Sequence, residues 1–272
     1  MPRLLRAVLA LFLAGLVAGE ADEASWSVLA ANRARFGFDD DDVPPKGRAT
    51  FDAAARGSAR EQYTAGVMLY DGWADESGDE PRVQVDRERA VDMFRRSAEQ
   101  GFVPAMHNLA LALSAQGRTD EAFLWYERAA DEGIPGAQRT LGELLSSGPR
   151  RNTKRAFAYT QRACESGMSR VACYSLGTMY HNGLGVPANP KAAQAAWKRA
   201  ADADHADAIY AYAVTLIQGK QMSDEVWALW ERAARLGSKE AMLNLGSKYA
   251  SEGDMERARA WWEASGLKKD DL

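Results

Sequence analysis

The chain has 272 residues, 34 of them basic and 38 acidic, which gives a formal net charge of −4. A nucleic-acid-binding surface would need clustered Lys and Arg, so this balance argues against nucleic acid as a partner. The 46% hydrophobic fraction is typical of a packed globular protein, and two Cys with three His exclude both a disulfide-rich scaffold and a thiolate-based zinc site.

Residues 1–21 have the three parts of a secretory signal peptide. Arg3 and Arg6 form the charged start, an uncharged run of twelve residues extends from Ala7 to Ala18, and Ala21 is the small residue before a cleavage site. Because about 20 apolar residues are needed to span a bilayer, we expect cleavage and no transmembrane segment.

Residues 22–57 are expected to form an acidic, Pro-containing linker. The run Asp39 to Asp42 is followed by Val43-Pro44-Pro45, a composition typical of a solvated spacer. A calcium loop would need alternating oxygen ligands and a turn glycine, which this run lacks. We therefore predict no metal site in this segment.

A short motif recurs along the rest of the chain. It consists of Leu-Gly, or a close equivalent, with a small residue four positions before the Leu. Successive copies are 44, 32, 35, 36 and 33 residues apart. Periods of this length are typical of solenoids built from stacked helix pairs. The copies, with a degenerate first one, are Ala65-Gly66, Leu109-Ala110, Leu141-Gly142, Leu176-Gly177, Tyr212-Ala213 and Leu245-Gly246.

A second helix is predicted after each motif. Ala193, Trp197 and Ala201 recur at four-residue intervals, which places them on one helical face. Small residues let the helices approach, and one aromatic per unit fills the core: Phe94, Tyr126, Trp197, Trp230 and Trp262. The predicted N-caps of second helices are Asp86, Asn152 and Asn189. The predicted helix-ending glycines are Gly101, Gly133, Gly167 and Gly237.

The fourth unit carries a family resemblance. Its residues Leu176 to Val186 read LGTMYHNGLGV, and Trp197-Lys198-Arg199-Ala200-Ala201 follow. This stretch resembles the Sel-one-like repeat (SLR), and the resemblance extends over residues 58–268. It implies an all-α fold, a right-handed α-solenoid of about six stacked helix-turn-helix repeats related to tetratricopeptide repeats.

The resemblance also implies a function. SLR proteins serve as protein–protein interaction scaffolds, and those of the endoplasmic reticulum help organise quality-control and degradation complexes. We therefore expect a non-enzymatic adaptor without a cofactor, in the secretory pathway. Two alternatives stay open: a cysteine-rich SLR-type enzyme or penicillin-like small-molecule binder, and a bacterial periplasmic interaction module. The sequence shows no nucleophile–base pair, which argues against the enzyme.

Cys164 and Cys173 are expected to form a disulfide. Cys164 ends the second helix of unit three and Cys173 opens the first helix of unit four. A chain that turns between antiparallel helices over nine residues can bring such positions within bonding distance, and the leader predicts an oxidising compartment. The pair also resembles those of the cysteine-rich SLR subfamily. The alternative is two buried free thiols.

A partner-binding groove is predicted on the first helices. Counted from the Leu of each motif, residues two before, two after and five after point away from the packed stripe. If these helices line a concave side, as in related families, the groove would hold a protein or peptide. Tyr is enriched in binding hot spots, but any single residue could instead face a neighbouring repeat. The candidates are Tyr63, His107, Arg139, Tyr174, Tyr210 and His181.

The last four residues, Lys269 to Leu272, read Lys-Asp-Asp-Leu. This tail resembles the Lys-Asp-Glu-Leu address that retrieves soluble proteins to the endoplasmic reticulum. Together with the leader, it predicts a protein of the endoplasmic reticulum lumen or a secreted protein. The bacterial periplasm is the alternative.

Overall fold

The computed structural model describes residues 50, 53–54, 56–72, 85–217 and 222–266. The predicted signal peptide, residues 1–21, and most of the predicted linker, residues 22–57, lie outside these residues. The predicted retrieval tail, residues 269–272, also lies outside them.

The described residues from Ala59 to Ser265 form twelve α-helices and no β-strand, which confirms the predicted all-α class. Consecutive helices make six helix-turn-helix pairs. No helix in this described part combines the length and apolar character needed to cross a membrane. The helices are α1 Ala59–Asp71, α2 Arg87–Glu99, α3 Val103–Ala115, α4 Thr119–Asp131, α5 Pro135–Ser146, α6 Thr153–Glu165, α7 Arg170–Asn182, α8 Pro190–Asp202, α9 Ala206–Thr215, α10 Asp224–Arg235, α11 Lys239–Ser251 and α12 Met255–Ser265.

The predicted helix boundaries are confirmed by their capping contacts. The side chains of Asp86, Asn152 and Asn189 each accept a hydrogen bond, 3.0 to 3.1 Å long, from the third backbone N–H of α2, α6 and α8. Such a bond satisfies one of the donors that a helix start leaves unpaired. At the other end, the four predicted stop glycines have φ between 75° and 103°, a region that glycine enters without steric cost.

The glycine of the repeated motif makes room for the aromatic ring of the second helix. A Cβ built on Gly177 would lie 2.4 Å from Cδ1 of Trp197, and one on Gly66 would lie 2.6 Å from Cδ1 of Phe94. The bare Gly backbone therefore lets a large ring pack directly against the first helix. The last ring, Trp262, was expected in the core but is only half-buried.

The chain divides into two compact units, one ending at Leu141 and the other beginning at Gly142. In the first unit, Leu109 and Leu113 of α3 are fully buried. The second unit has two buried clusters. One surrounds Cys164, Cys173 and Leu176, and the other surrounds Trp230.

Candidate functional site

In the first unit, the predicted groove residues Tyr63 and His107 lie in the interior. Tyr63 is 3% exposed, its ring packs against Phe94 and Phe102, and its hydroxyl accepts a 3.2 Å hydrogen bond from Nδ2 of Asn108. His107 is 8% exposed and meets Tyr126 edge-on. The prediction is wrong for these two residues, because the register two before the motif faces packed neighbours and not solvent.

Burial also decides the charge of His107. Desolvation, with a smaller effect from the positive charge of Arg139, lowers the pKa of His107 to about 4. Its Nδ1 is buried and has no hydrogen-bond partner among the residues that the structure describes. The imidazole is therefore neutral near pH 7 and serves as a packing group. Arg139, another predicted groove residue, is half-buried on α5.

In the second unit, Tyr174 and Tyr210 of the same register are half-buried. Tyr174 stacks on His205 with ring centroids 4.7 Å apart, and Tyr210 stacks on Trp230 at 5.7 Å. The hydroxyl of Tyr210 accepts a 3.1 Å hydrogen bond from Nδ2 of Asn244 on α11. These contacts show that both rings pack against neighbouring side chains.

The contacts of Tyr63 and Tyr210 belong to a repeated joint between neighbouring pairs. In both, a Tyr two positions before the motif bonds to an Asn one position before the motif of the next pair. Hydrogen bonds also connect the second helices of neighbouring pairs. A guanidinium nitrogen of Arg199 donates to the carbonyl of Cys164 at 3.0 Å, and one of Arg232 donates to that of Ala201 at 3.1 Å.

Cys164 and Cys173 are joined by a disulfide, with their Cα atoms 4.6 Å apart. Both residues are buried. In the third pair, Gln138 occupies the register of Cys173, and its amide donates a hydrogen bond to the carbonyl of Ala130 across the turn. The disulfide therefore connects consecutive helices at a register where the third pair uses a hydrogen bond.

The second unit contains an open cavity between the fourth and fifth pairs, with a volume of about 570 Å³. Its size falls within the range of ligand pockets in proteins. Two candidate residues, Tyr210 and His181, lie in its wall. We call it the 4–5 cavity, and it is lined by His181, Pro190, Lys191, Gln194, Trp197, Tyr210, Ala211, Val214 and Thr215.

Different helices contribute distinct chemistry to the 4–5 cavity. The end of α7 provides His181, whose ring lies 5.4 Å from that of Trp197. Across the cavity, the amide of Gln194 on α8 donates a 2.9 Å hydrogen bond to the hydroxyl of Thr215 on α9. Val214, two after the motif, is 42% exposed and offers an aliphatic surface. The cavity thus combines an apolar wall with a few polar groups.

Charge differs along this face of the second unit. Burial raises the pKa of the Tyr174 phenol, and the negative charges of Asp207 and Glu240 raise it further. Two carboxylates therefore lie near the Tyr174 ring at the start of α9, whereas Lys191 lies at the start of α8. Within the described residues, no group of three or more His, Cys, Asp or Glu could hold a metal ion.

Most residues of the cavity lie outside the predicted groove. Pro190, Lys191 and Gln194 belong to a second helix, whereas the predicted groove lies on first helices. Ala211 was missed because it looks like one more small residue of an Ala-rich repeat. The sequence does contain one indication. Asn108 and Asn244 have the register of Ala211 in two other pairs, so the fifth pair has a smaller side chain at this position than those two pairs.

Comparison with known families finds the Sel1 repeat in five stretches that together cover well over half of the chain. The stretches leave out residues 206–238, the fifth helix pair, whose motif reads Tyr212-Ala213 in place of Leu-Gly. The matched residues are 62–102, 103–134, 135–168, 170–205 and 239–270.

Individual relatives agree with this result. An uncharacterised protein of Neisseria meningitidis serogroup B is 28% identical over 202 residues, covering 61% of this chain and 43% of that protein. A protective antigen of uropathogenic Escherichia coli with an SLR fold has a TM-score of 0.68 at 24% identity, over 82% of this chain and 49% of the other. A Sel1 repeat protein from Oxalobacter formigenes has a TM-score of 0.61 at 22% identity, over 81% and 97%. The chain thus spans less than half the length of the first two relatives.

Proposed function

Because the chain belongs to the Sel1 repeat family, we propose that it is a non-enzymatic adaptor that binds a protein partner through the 4–5 cavity of its second unit. Repeat arrays of this kind present side chains from successive units to a partner. No step of the proposal requires a cofactor, since binding alone is the activity.

The 4–5 cavity is the observation that carries this proposal. It has the volume of a ligand pocket, its wall is mainly apolar, and Tyr210, Gln194 and Thr215 supply polar groups that can orient an occupant. A wall of this kind suits the side chains of a peptide segment, with the half-buried ring of Tyr210 as an aromatic contact.

Site-specific photo-crosslinking tests the proposed surface. A photoreactive amino acid at Val214 should capture partner protein in the native compartment, because this side chain lies in the cavity and is 42% exposed. The matched control is Leu236, which is 46% exposed at the end of α10 and outside the cavity. Equal capture from both positions would contradict binding through the cavity.

We also propose that the chain is exported to an oxidising compartment, where it acts as a quality-control adaptor. The buried Cys164–Cys173 disulfide supports this location, since such bonds persist mainly in oxidising environments. The tail at residues 269–272 favours the endoplasmic reticulum lumen, and the bacterial relatives favour the periplasm.

Deletion of residues 269–272 separates the two locations. A tagged chain retained in the endoplasmic reticulum of a eukaryotic host should become secreted once the tail is removed. A chain without the tail that stays retained would refute the retrieval role and leave the periplasm as the proposed compartment. Intact mass of the exported protein should also show cleavage after Ala21.

A further inference from the structure

The fifth pair carries a small residue at a register where two other pairs carry an amide. In the second and sixth pairs, Asn108 and Asn244 stand one position before the motif and bond to a Tyr of the preceding pair. Ala211 has this register in the fifth pair, and its methyl group lines the cavity. A methyl group therefore stands here where two other joints have an amide side chain.

The inner wall of the cavity fits an aromatic side chain. Trp197, Pro190 and Val214 present carbon surfaces, and Ala211 between them leaves room for a ring. A volume of about 570 Å³ falls within the range of pockets that hold small ligands, so it has room for a single aromatic ring.

The charge of the wall selects a negative neighbour for that ring. Lys191 is positively charged, the exposed ring of His181 can donate an N–H, and the nine described lining residues include no Asp or Glu. Pro190 and Lys191 are the first residues of α8, and the N-terminal end of a helix favours nearby negative charge. This local sign is opposite to the net charge of −4 of the whole chain.

The carboxylates nearby orient the occupant. Asp207 stands one helical turn before Ala211 on α9, and it acts with Glu240 on the Tyr174 phenol. An acidic segment would be repelled from that side and attracted towards the start of α8. The ring would then enter beside Ala211 while the acidic residues lie along Lys191 and His181.

From this arrangement we infer that the 4–5 cavity binds an acidic peptide segment through one aromatic anchor, with its carboxylates facing Lys191 and His181. The inference rests on the proposed adaptor function and names the chemistry of the partner.

A synthetic probe tests the chemistry directly. The probe is a fluorescein-labelled, C-terminally amidated peptide with one Phe followed by four Asp, titrated with the full-length oxidised protein in a polarisation assay. Replacing the four Asp with Asn, or the Phe with Ala, should weaken binding by about tenfold each. Added salt should weaken the binding of the acidic probe and leave the binding of the Asn probe nearly unchanged.

Protein variants locate the site. Lys191→Glu should weaken the acidic probe by about tenfold. Lys239→Glu is the matched control, since Lys239 is also exposed at the start of a helix in the second unit. Ala211→Leu should block the ring, whereas Ala195→Leu, at an exposed position of α8 outside the cavity, should not. Thermal unfolding of each variant confirms that it is folded.

The outcomes separate this inference from the proposed function. Binding that depends on Lys191 and Ala211, and not on their controls, supports the acidic aromatic segment. If the probe does not bind while Val214 still captures a natural partner, the partner chemistry is wrong and the adaptor surface stands. If Val214 captures nothing beyond the Leu236 control, the adaptor proposal itself is overturned.

Discussion

Replacing Gly177 with Ala is expected to destabilise the second unit, although Ala normally favours a helix. Gly177 lies inside α7, and Ala at an ordinary interior position is about 1 kcal/mol more favourable than Gly. Here the added Cβ would lie 2.4 Å from Cδ1 and 2.5 Å from Nε1 of Trp197. Because the indole is rigid and buried, the whole ring would have to move.

The structure sets the size of the effect. Overpacking a core costs about 1–3 kcal/mol, and three ring atoms of Trp197 within 3.0 Å of the new Cβ indicate the upper part of that range. Subtracting the gain in helix propensity leaves a loss of about 1–2 kcal/mol. For a chain of this size, that loss lowers the melting temperature by about 2–8 °C.

Urea and thermal unfolding, followed by helical circular dichroism, measure this loss. In a Trp197→Leu background the clash is gone, so Gly177→Ala should then be neutral or stabilising by up to about 1 kcal/mol. As a control, Ala213→Gly in the fifth pair should cost about 1 kcal/mol, because Ala already fits beside Trp230 there. The reasoning is refuted if Gly177→Ala stabilises the parent protein or has the same effect in both backgrounds.

Three further predictions concern the joints between helices. Replacing both Cys164 and Cys173 with Ala should lower the free energy of unfolding by about 2.5 kcal/mol, the value that loop entropy gives for so short a loop. Peptide mapping of the parent protein without reductant should find the two residues linked. His107 has a pKa of about 4 in the folded chain and about 6.5 in the unfolded chain. Between these two pH values the unfolded chain binds more protons than the folded chain. The free energy of unfolding should therefore fall by up to about 3 kcal/mol as the pH is lowered from 6.5 to 4. His107→Tyr should flatten that loss in urea titrations at neutral and acidic pH, and an unchanged slope would contradict the assignment. Asn244→Ala and Tyr210→Phe should each lower the free energy of unfolding by about 1 kcal/mol, because each removes the same hydrogen bond. The double variant should lose little more than either single variant. Fully additive losses would show that this hydrogen bond contributes nothing to stability.

The repeat architecture could be predicted from the sequence because its signals are local. The alternation of a small-residue helix with an aromatic one, the caps such as Asn189 and the stop glycines such as Gly101 depend on contacts within one pair. These interactions are set by spacing along the chain, so one sequence is sufficient to place them. The pairing of Cys164 with Cys173 is local in the same sense, since nine residues separate them.

The groove could not be predicted equally well, because it depends on how one pair meets the next. On a single helix, Tyr63 points away from the Ala65-Gly66 motif of its own pair, and helical geometry cannot distinguish solvent from a neighbouring pair. The structure places it against Phe102 and Asn108 of the following pair. Contact across the joint thus buries the register that intrahelical geometry alone assigned to the surface.

The joints between helix pairs differ in what connects them. Asn108 and Asn244 bond to a Tyr of the preceding pair, and such a joint has a structural role. In the fifth pair Ala211 has this register, and its methyl group lines the 4–5 cavity. A different contact connects the helices there, because the Gln194–Thr215 hydrogen bond joins α8 and α9. Cohesion between neighbouring helices is therefore compatible with open space at this joint.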